Sequence, residues 1–186
     1  NETPITRIEG NAILTGTIRC EVDAIVLATG FDAMTGAVMN IDIRGKNGLS
    51  LQDKWATGPK AYLGLATAGF PNLFLVTGPG SPSVLSNMLP SIEQHVEWIA
   101  SCIEFMDRHQ HRSIDPDRDA EEAWIEHVNE VADTSVYPGC NSWYLGANVE
   151  GKSRVFMPYL GVPPYVEKCN EVVAAGYAGF KLSGTS

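Results

Sequence analysis

The sequence predicts an α/β protein. Two apolar runs rich in β-branched residues each stop at a glycine, and a long amphipathic segment follows the second run. Length agrees, because 186 residues that are 44% hydrophobic make one globular domain or a large piece of one.

The first run is Val22-Asp23-Ala24-Ile25-Val26-Leu27-Ala28, nearly continuous in apolar side chains, as in a strand buried on both faces; it ends at Thr29-Gly30. A loop-rich stretch follows, punctuated by Gly36, Gly45, Gly48, Gly58 and Pro59, in which Gly45-Lys46-Asn47-Gly48 reads as a tight turn. The second run, residues 72–77, is introduced by Gly69-Phe70-Pro71 and stops at Gly78. Glycine, proline and serine then dominate up to Ser91. Beyond it Ile92, Val96, Ile99, Ile103 and Met106 recur three and four apart, which is one face of a helix. Asp115-Pro116 reads as an N-cap and first-turn proline of a further helix whose apolar face holds Trp124, Val128 and Val131. Residues 137–164 are aromatic, rich in glycine and proline and irregular, and residues 165–175 make a last short helix.

Charge and composition exclude several classes. Twenty-two acids against thirteen Lys and Arg give a net charge of -9, with no basic run to follow a phosphate backbone, so no nucleic-acid partner is expected. No stretch approaches the roughly 20 consecutive apolar residues of a membrane span. Cys20, Cys102, Cys140 and Cys169 fall at unrelated spacings and read as reduced thiols of a cytoplasmic protein, filling space as small hydrophobes. A start at Asn1 reads as a truncated or processed piece.

The usual chemical signatures are missing. Gly80-Ser81-Pro82-Ser83 sits where a nucleophile elbow would, but it lacks the second glycine of G-x-S-x-G, and Pro82 removes a backbone donor. His95, His109, His111 and His127 have neither zinc-site spacing, so no metal is expected. Neither G-x-G-x-x-G nor G-x-x-x-x-G-K-[ST] occurs. The glycines after residue 77 nonetheless allow close backbone approach, and the following helix start favours negative charge, as on the pyrimidine edge of a reduced flavin. A plain connecting turn explains the same residues.

Three long segments, in order, carry a resemblance. Asp23-Ala24-Ile25-Val26-Leu27-Ala28-Thr29-Gly30-Phe31-Asp32 resembles the D-x-x-x-x-A-T-G-F-D segment of class B flavin monooxygenases. Residues 78–98, from Gly78-Pro79-Gly80-Ser81 to Glu97-Trp98, and residues 142–159, from Ser142-Trp143-Tyr144 to Met157-Pro158-Tyr159, resemble Baeyer-Villiger monooxygenases of the phenylacetone, steroid and large-ring ketone branch.

The resemblance implies the carboxyl-terminal third of a flavoprotein with two dinucleotide-binding domains. Residues 1–30 would be the end of the NADP-binding domain and the return strand, and residues 31–186 the rest of the FAD-binding domain, with a control loop near 137–164. The family uses NADPH, FAD and O2 to insert one oxygen atom beside a ketone carbonyl, giving an ester or lactone. Its glycine fingerprints and catalytic arginine are expected upstream, so no catalytic residue is expected here, and the upstream part of the enzyme is the implied partner. Thr29, Gly30, Gly78, Pro79, Asn87, Met88 and Leu89 match positions beside the FAD. Ser83, Val84, Leu85 and Met88 match the ketone-lining bulge, with Met157 and, less closely, Pro158 on the same wall. Trp143 matches the control-loop tryptophan over the nicotinamide cofactor. Core packing remains an alternative for Leu85, Met88 and Trp143, and a non-catalytic, apolar-ligand-binding piece is the alternative for the whole.

Overall fold

The computed structural model describes residues 4–27, 35–82, 86–136, 139 and 159–184. It is mixed α and β, as expected, and divides into two units, residues 1–31 and residues 32–186.

In the first unit, β1 (Ile5–Glu9), β2 (Ala12–Thr15) and β3 (Arg19–Glu21) form an antiparallel meander. Gly10, at φ 58°, makes the first reversal. Of the run at 22–28, the described residues 22–27 are not the buried strand that composition predicts. Residues 22–27 carry no strand assignment, and Val26 and Leu27 are 86% and 76% exposed. β-Branched composition signals a preference for burial on a sheet, and no strand of the described residues offers these ones a partner.

The second unit contains short helices α1 (Gly36–Met39) and α2 (Leu51–Lys54), then α3 (Met88–Arg108), β4 (His111–Pro116), α4 (Arg118–Asp133), α5 (Val162–Ala174) and β5 (Phe180–Gly184). The turn at Gly45 to Gly48 is present, with Asn47 at φ 57°. Residues 72–77 form only one isolated bridge, Ala66 to Phe74, instead of the expected strand. Asn72 and Thr77 both have positive φ, which breaks extended backbone at each end of the run.

β4 and β5 pair antiparallel, Ile114 opposite Leu182. The other edge of β4 is taken by one residue. Asn72 donates its N–H to the Ile114 carbonyl at 2.9 Å, accepts from the Ile114 N–H at 3.0 Å, and donates its side-chain amide to the Arg112 carbonyl at 3.1 Å. Asp115-Pro116 therefore ends a strand, and it is Asp117 whose side chain caps α4, accepting from the Asp119 N–H. α5 begins at Val162, ahead of the expected 165, because prolines are tolerated in a first helical turn.

α3 lies where the periodicity put it, but turned by about one residue. Ser91, His95, Trp98, Cys102 and Met106 are buried, whereas Val96 and Ile103 are 50% and 54% exposed. The buried face joins Trp124 and Val128 of α4, Tyr165, Cys169 and Val172 of α5, and the 62–65 turn in one core. A second cluster gathers Leu51, Trp55, Ala61, Phe70 and Leu75. A largely buried ion pair joins α2 to α4: Lys54 meets Glu121 at 2.9 Å, and Glu121 also accepts from Thr67 and the Ala68 N–H.

Candidate functional site

Two tight turns build the described part of the site. In the first, Tyr62 and Ala66 bridge across Leu63, Gly64 and Leu65, and the Leu65 N–H donates to the Tyr62 carbonyl at 3.0 Å across Leu63 and Gly64, whose φ values of 55° and 69° are the pattern of a type I′ turn. In the second, the Ser81 N–H donates to the Gly78 carbonyl at 3.2 Å, with Pro79 and Gly80 (φ 83°) in the middle, the type II pattern that requires glycine at its third position. The turns nest closely. A Cβ on Gly64 would stand 2.6 Å from the Ser81 Cβ and 2.9 Å from the Gly78 carbonyl oxygen.

Surrounding elements hold the second turn on several sides. The Trp124 indole N–H of α4 donates to the Gly80 carbonyl at 3.2 Å, and the Tyr159 N–H donates to the Ser81 carbonyl at 3.2 Å. Ser81 is fully buried and its hydroxyl donates to the Gly78 carbonyl at 2.7 Å, so it is a structural turn residue without the exposure a nucleophile needs.

His95 and Tyr165 close the arrangement from below. The Thr77 N–H donates to His95 Nδ1 at 2.9 Å, His95 Nε2 stands 3.0 Å from the Tyr165 hydroxyl, and that hydroxyl donates to the Leu63 carbonyl at 2.8 Å. Both side chains are buried, and burial lowers the His95 pKa to about 4 and raises that of Tyr165 well above its ordinary value. His95 is therefore a neutral imidazole at physiological pH. Thr77, at φ 53°, and Leu63 hold left-handed backbone, which costs a branched side chain of order 1–3 kcal/mol.

α3 starts just beyond the turn. Its N-cap Asn87 accepts from the Leu89 N–H at 3.1 Å, and Pro90 has no N–H, which leaves the Met88 N–H as the first-turn donor without a described partner. The helix is 21 residues long and its first turn holds no acid to neutralise the positive end of its dipole. Ser91, one turn on and 2% exposed, has a hydroxyl with no partner among the described residues. A backbone donor, a helix dipole and a hydroxyl that have no partner among the described residues fit the electron-rich edge of a flavin ring.

Of the sequence-predicted positions, the structure places Gly78 and Pro79 in this turn and Asn87, Met88 and Leu89 at the helix start. Thr29, Gly30, Ser83, Val84, Leu85, Trp143, Met157 and Pro158 lie outside the described residues, as does Cys140. Burial holds Cys102 and Cys169 protonated, with pKa values raised to about 12 and about 11. The sequence reading missed His95, Tyr165 and Thr77. The usable signal was the 91, 95, 98, 102 spacing, which puts His95 on the tryptophan side of α3.

No protein-family model matches the chain. Acetone monooxygenase (methyl acetate-forming) from Gordonia sp. (strain TY-5) is 42% identical over 186 residues, covering 98% of this chain and 35% of its own length. Cyclohexanone monooxygenase from Rhodococcus sp. Phi1, solved bound to NADP+, superposes with a TM-score of 0.89 at 40% identity over 99% of this chain and 35% of that one. The OTEMO complex with FAD and NADP superposes with a TM-score of 0.84 at 35% identity over 98% of this chain and 34% of that one. The chain spans about a third of the length of the curated relatives it matches. Among the described residues no helix is long and apolar enough to cross a membrane.

Proposed function

This chain is homologous to about a third of a Baeyer-Villiger monooxygenase, and on that premise we propose that it supplies the flavin-facing turn and part of the ketone pocket of such an enzyme. The substrate class is a ketone, oxidised to an ester or lactone with NADPH and O2. FAD, when bound, supplies the oxygen-activating redox chemistry; the residues of this chain hold it, orient it and shape the space beside it.

The observation that carries the reading is the nested pair of turns ahead of α3. With FAD bound, the 78–81 turn would bring backbone close to the ring, and the Met88 N–H with the dipole of α3 would stabilise negative charge at its edge without a side chain. The Met88 side chain, with Ser83, Val84, Leu85 and Met157, lines the ketone pocket, and Trp143 closes over the nicotinamide cofactor, where its ring excludes water. Residues 1–30 belong to the end of the NADP-binding domain and residues 31–186 to the FAD-binding domain with the control loop. Among the described residues Cys20, Cys102 and Cys169 are free thiols, which supports a cytoplasmic location.

Complementation tests the proposal. The chain alone should show no yellow flavin spectrum and no ketone-dependent NADPH consumption, and co-production with the remaining two-thirds of the enzyme should restore both. Stoichiometric FAD on the isolated chain, or none on the combined chains, would overturn the reading. The alternative, a non-catalytic module for an apolar ligand, predicts ketone-sized ligands bound with no flavin in either preparation.

A further inference from the structure

We propose that His95 and Tyr165 are positioning residues of the flavin-facing turn, acting together as a neutral two-ended bridge that holds Thr77 and Leu63 in left-handed backbone and keeps the two turns nested. The positioning of the flavin rests on the proposed function; the bridge itself rests on the hydrogen-bond geometry.

Every proton in the bridge has one available place. A backbone N–H can only donate, so the Thr77 amide makes His95 Nδ1 the acceptor and puts the ring proton on Nε2. A carbonyl can only accept, so the single hydroxyl proton of Tyr165 goes to Leu63. The Tyr165 oxygen then receives the Nε2–H. Donors and acceptors are matched from Thr77 to Leu63 with no charge, and the Cys169 thiol makes one further hydrogen bond to the Tyr165 hydroxyl from α5. This separates the bridge from a general acid or base. An imidazolium would carry a proton on both ring nitrogens and aim one of them at the Thr77 N–H.

The bridge acts where the backbone needs it. Its two ends fall on Leu63 and Thr77, each next to a glycine of the nested pair, Gly64 and Gly78. α3 supplies one ring and α5 the other, packed edge to face at 5.6 Å between centroids, so the ends are held by two separate helices. Apolar residues of similar size would fill the same core. They would leave the Thr77 N–H and the Leu63 carbonyl without partners, and both turns would be freer to relax.

The test uses the full-length enzyme carrying this chain, with His95→Leu, His95→Gln and Tyr165→Phe. Three quantities are read: FAD affinity by flavin fluorescence, ester or lactone formed per NADPH consumed, and hydrogen exchange at the Thr77 and Ser81 amides. His95→Leu and Tyr165→Phe should weaken FAD roughly tenfold, lower the product per NADPH and speed exchange at both amides. His95→Gln, whose amide can accept at one end and donate at the other, should recover most of each loss. A folded His95→Leu enzyme with wild-type affinity, coupling and Thr77 exchange would overturn the proposal. So would a glutamine variant as impaired as the leucine one, since the ring would then matter beyond its two hydrogen bonds. If His95→Leu fails to fold, the other two variants decide. A wild-type enzyme without FAD would overturn the functional reading and the flavin-positioning role, and Thr77 exchange would still decide whether the bridge holds the turn.

Discussion

Acidification from pH 7.5 to 5.0 should destabilise the fold through His95, and His95→Gln should remove that part of the pH dependence. The imidazole is fully buried, and its pKa is lowered from 6.5 to about 4 by desolvation. In the unfolded chain it takes up a proton near its ordinary value; in the folded chain it cannot until the pH is far lower. The sign follows: the contribution is fully present above pH 6.5 and is lost as pH falls through the window between 6.5 and about 4. The slope inside that window approaches 1.4 kcal/mol per pH unit, and the loss between pH 7.5 and 5.0 comes to about 2 kcal/mol. Urea midpoints followed by tryptophan fluorescence measure it, because Trp98 and Trp124 sit in the same core. Carboxylates do not confound the comparison. Asp117, whose pKa is lowered by its hydrogen bond to Lys181, acts below the ordinary carboxylate range, and every carboxylate is shared by the two proteins. Parallel loss of stability in wild type and His95→Gln over this range would refute the reasoning.

Gly64→Ala should cost at least about 2 kcal/mol, read as a lowered melting temperature, since its Cβ meets the Ser81 backbone nitrogen at 2.7 Å at a φ of 69°. Glu121→Ala should cost about 3–5 kcal/mol by stranding Lys54, which is 12% exposed, whereas Lys54→Met with Glu121→Leu should cost clearly less; a double-mutant cycle on urea midpoints checks both. In the complete enzyme, Met88→Ala should change kcat/KM ratios between small and bulky ketones by about 10- to 200-fold while FAD stays bound, because the backbone donor is kept. Loss of FAD with unaltered preference would contradict the wall assignment of Met88.

The sequence made the helices easy to find and the contacts hard. α3, α4 and α5 were legible because helical period survives averaging over many residues. The buried face of α3 was not, because Ser91, His95 and Cys102 read as polar or neutral while Val96 and Ile103 read as core. Hydrophobicity alone cannot tell which of two adjacent stripes meets a partner that itself offers hydrogen bonds, as Tyr165 and the Thr77 amide do. The two runs read as strands failed for a related reason. Apolar β-branched composition reports a wish to leave water, whereas a strand is defined by a neighbour in register. β4 escaped notice altogether, since His111-Arg112-Ser113-Ile114-Asp115-Pro116 has no alternation and ends in proline. At the candidate site, glycine and proline marked a connecting turn after residue 77, and the structure closes it between Gly78 and Ser81. The bridge behind it joins residues 70 apart in sequence, and no local pattern records such a pairing.

Among the described residues β4 and β5 make a sheet two strands wide, which has little to hide its edges with, and an open edge invites pairing with another chain. On β4 a single side-chain amide, that of Asn72, stands in for a third strand and plugs the edge at Arg112 and Ile114. The plug works only in one register. Inserting or deleting one residue between Gly69 and Asn72 would shift the amide along the strand and reopen the edge, so the length of this short loop matters as well as its buried Phe70.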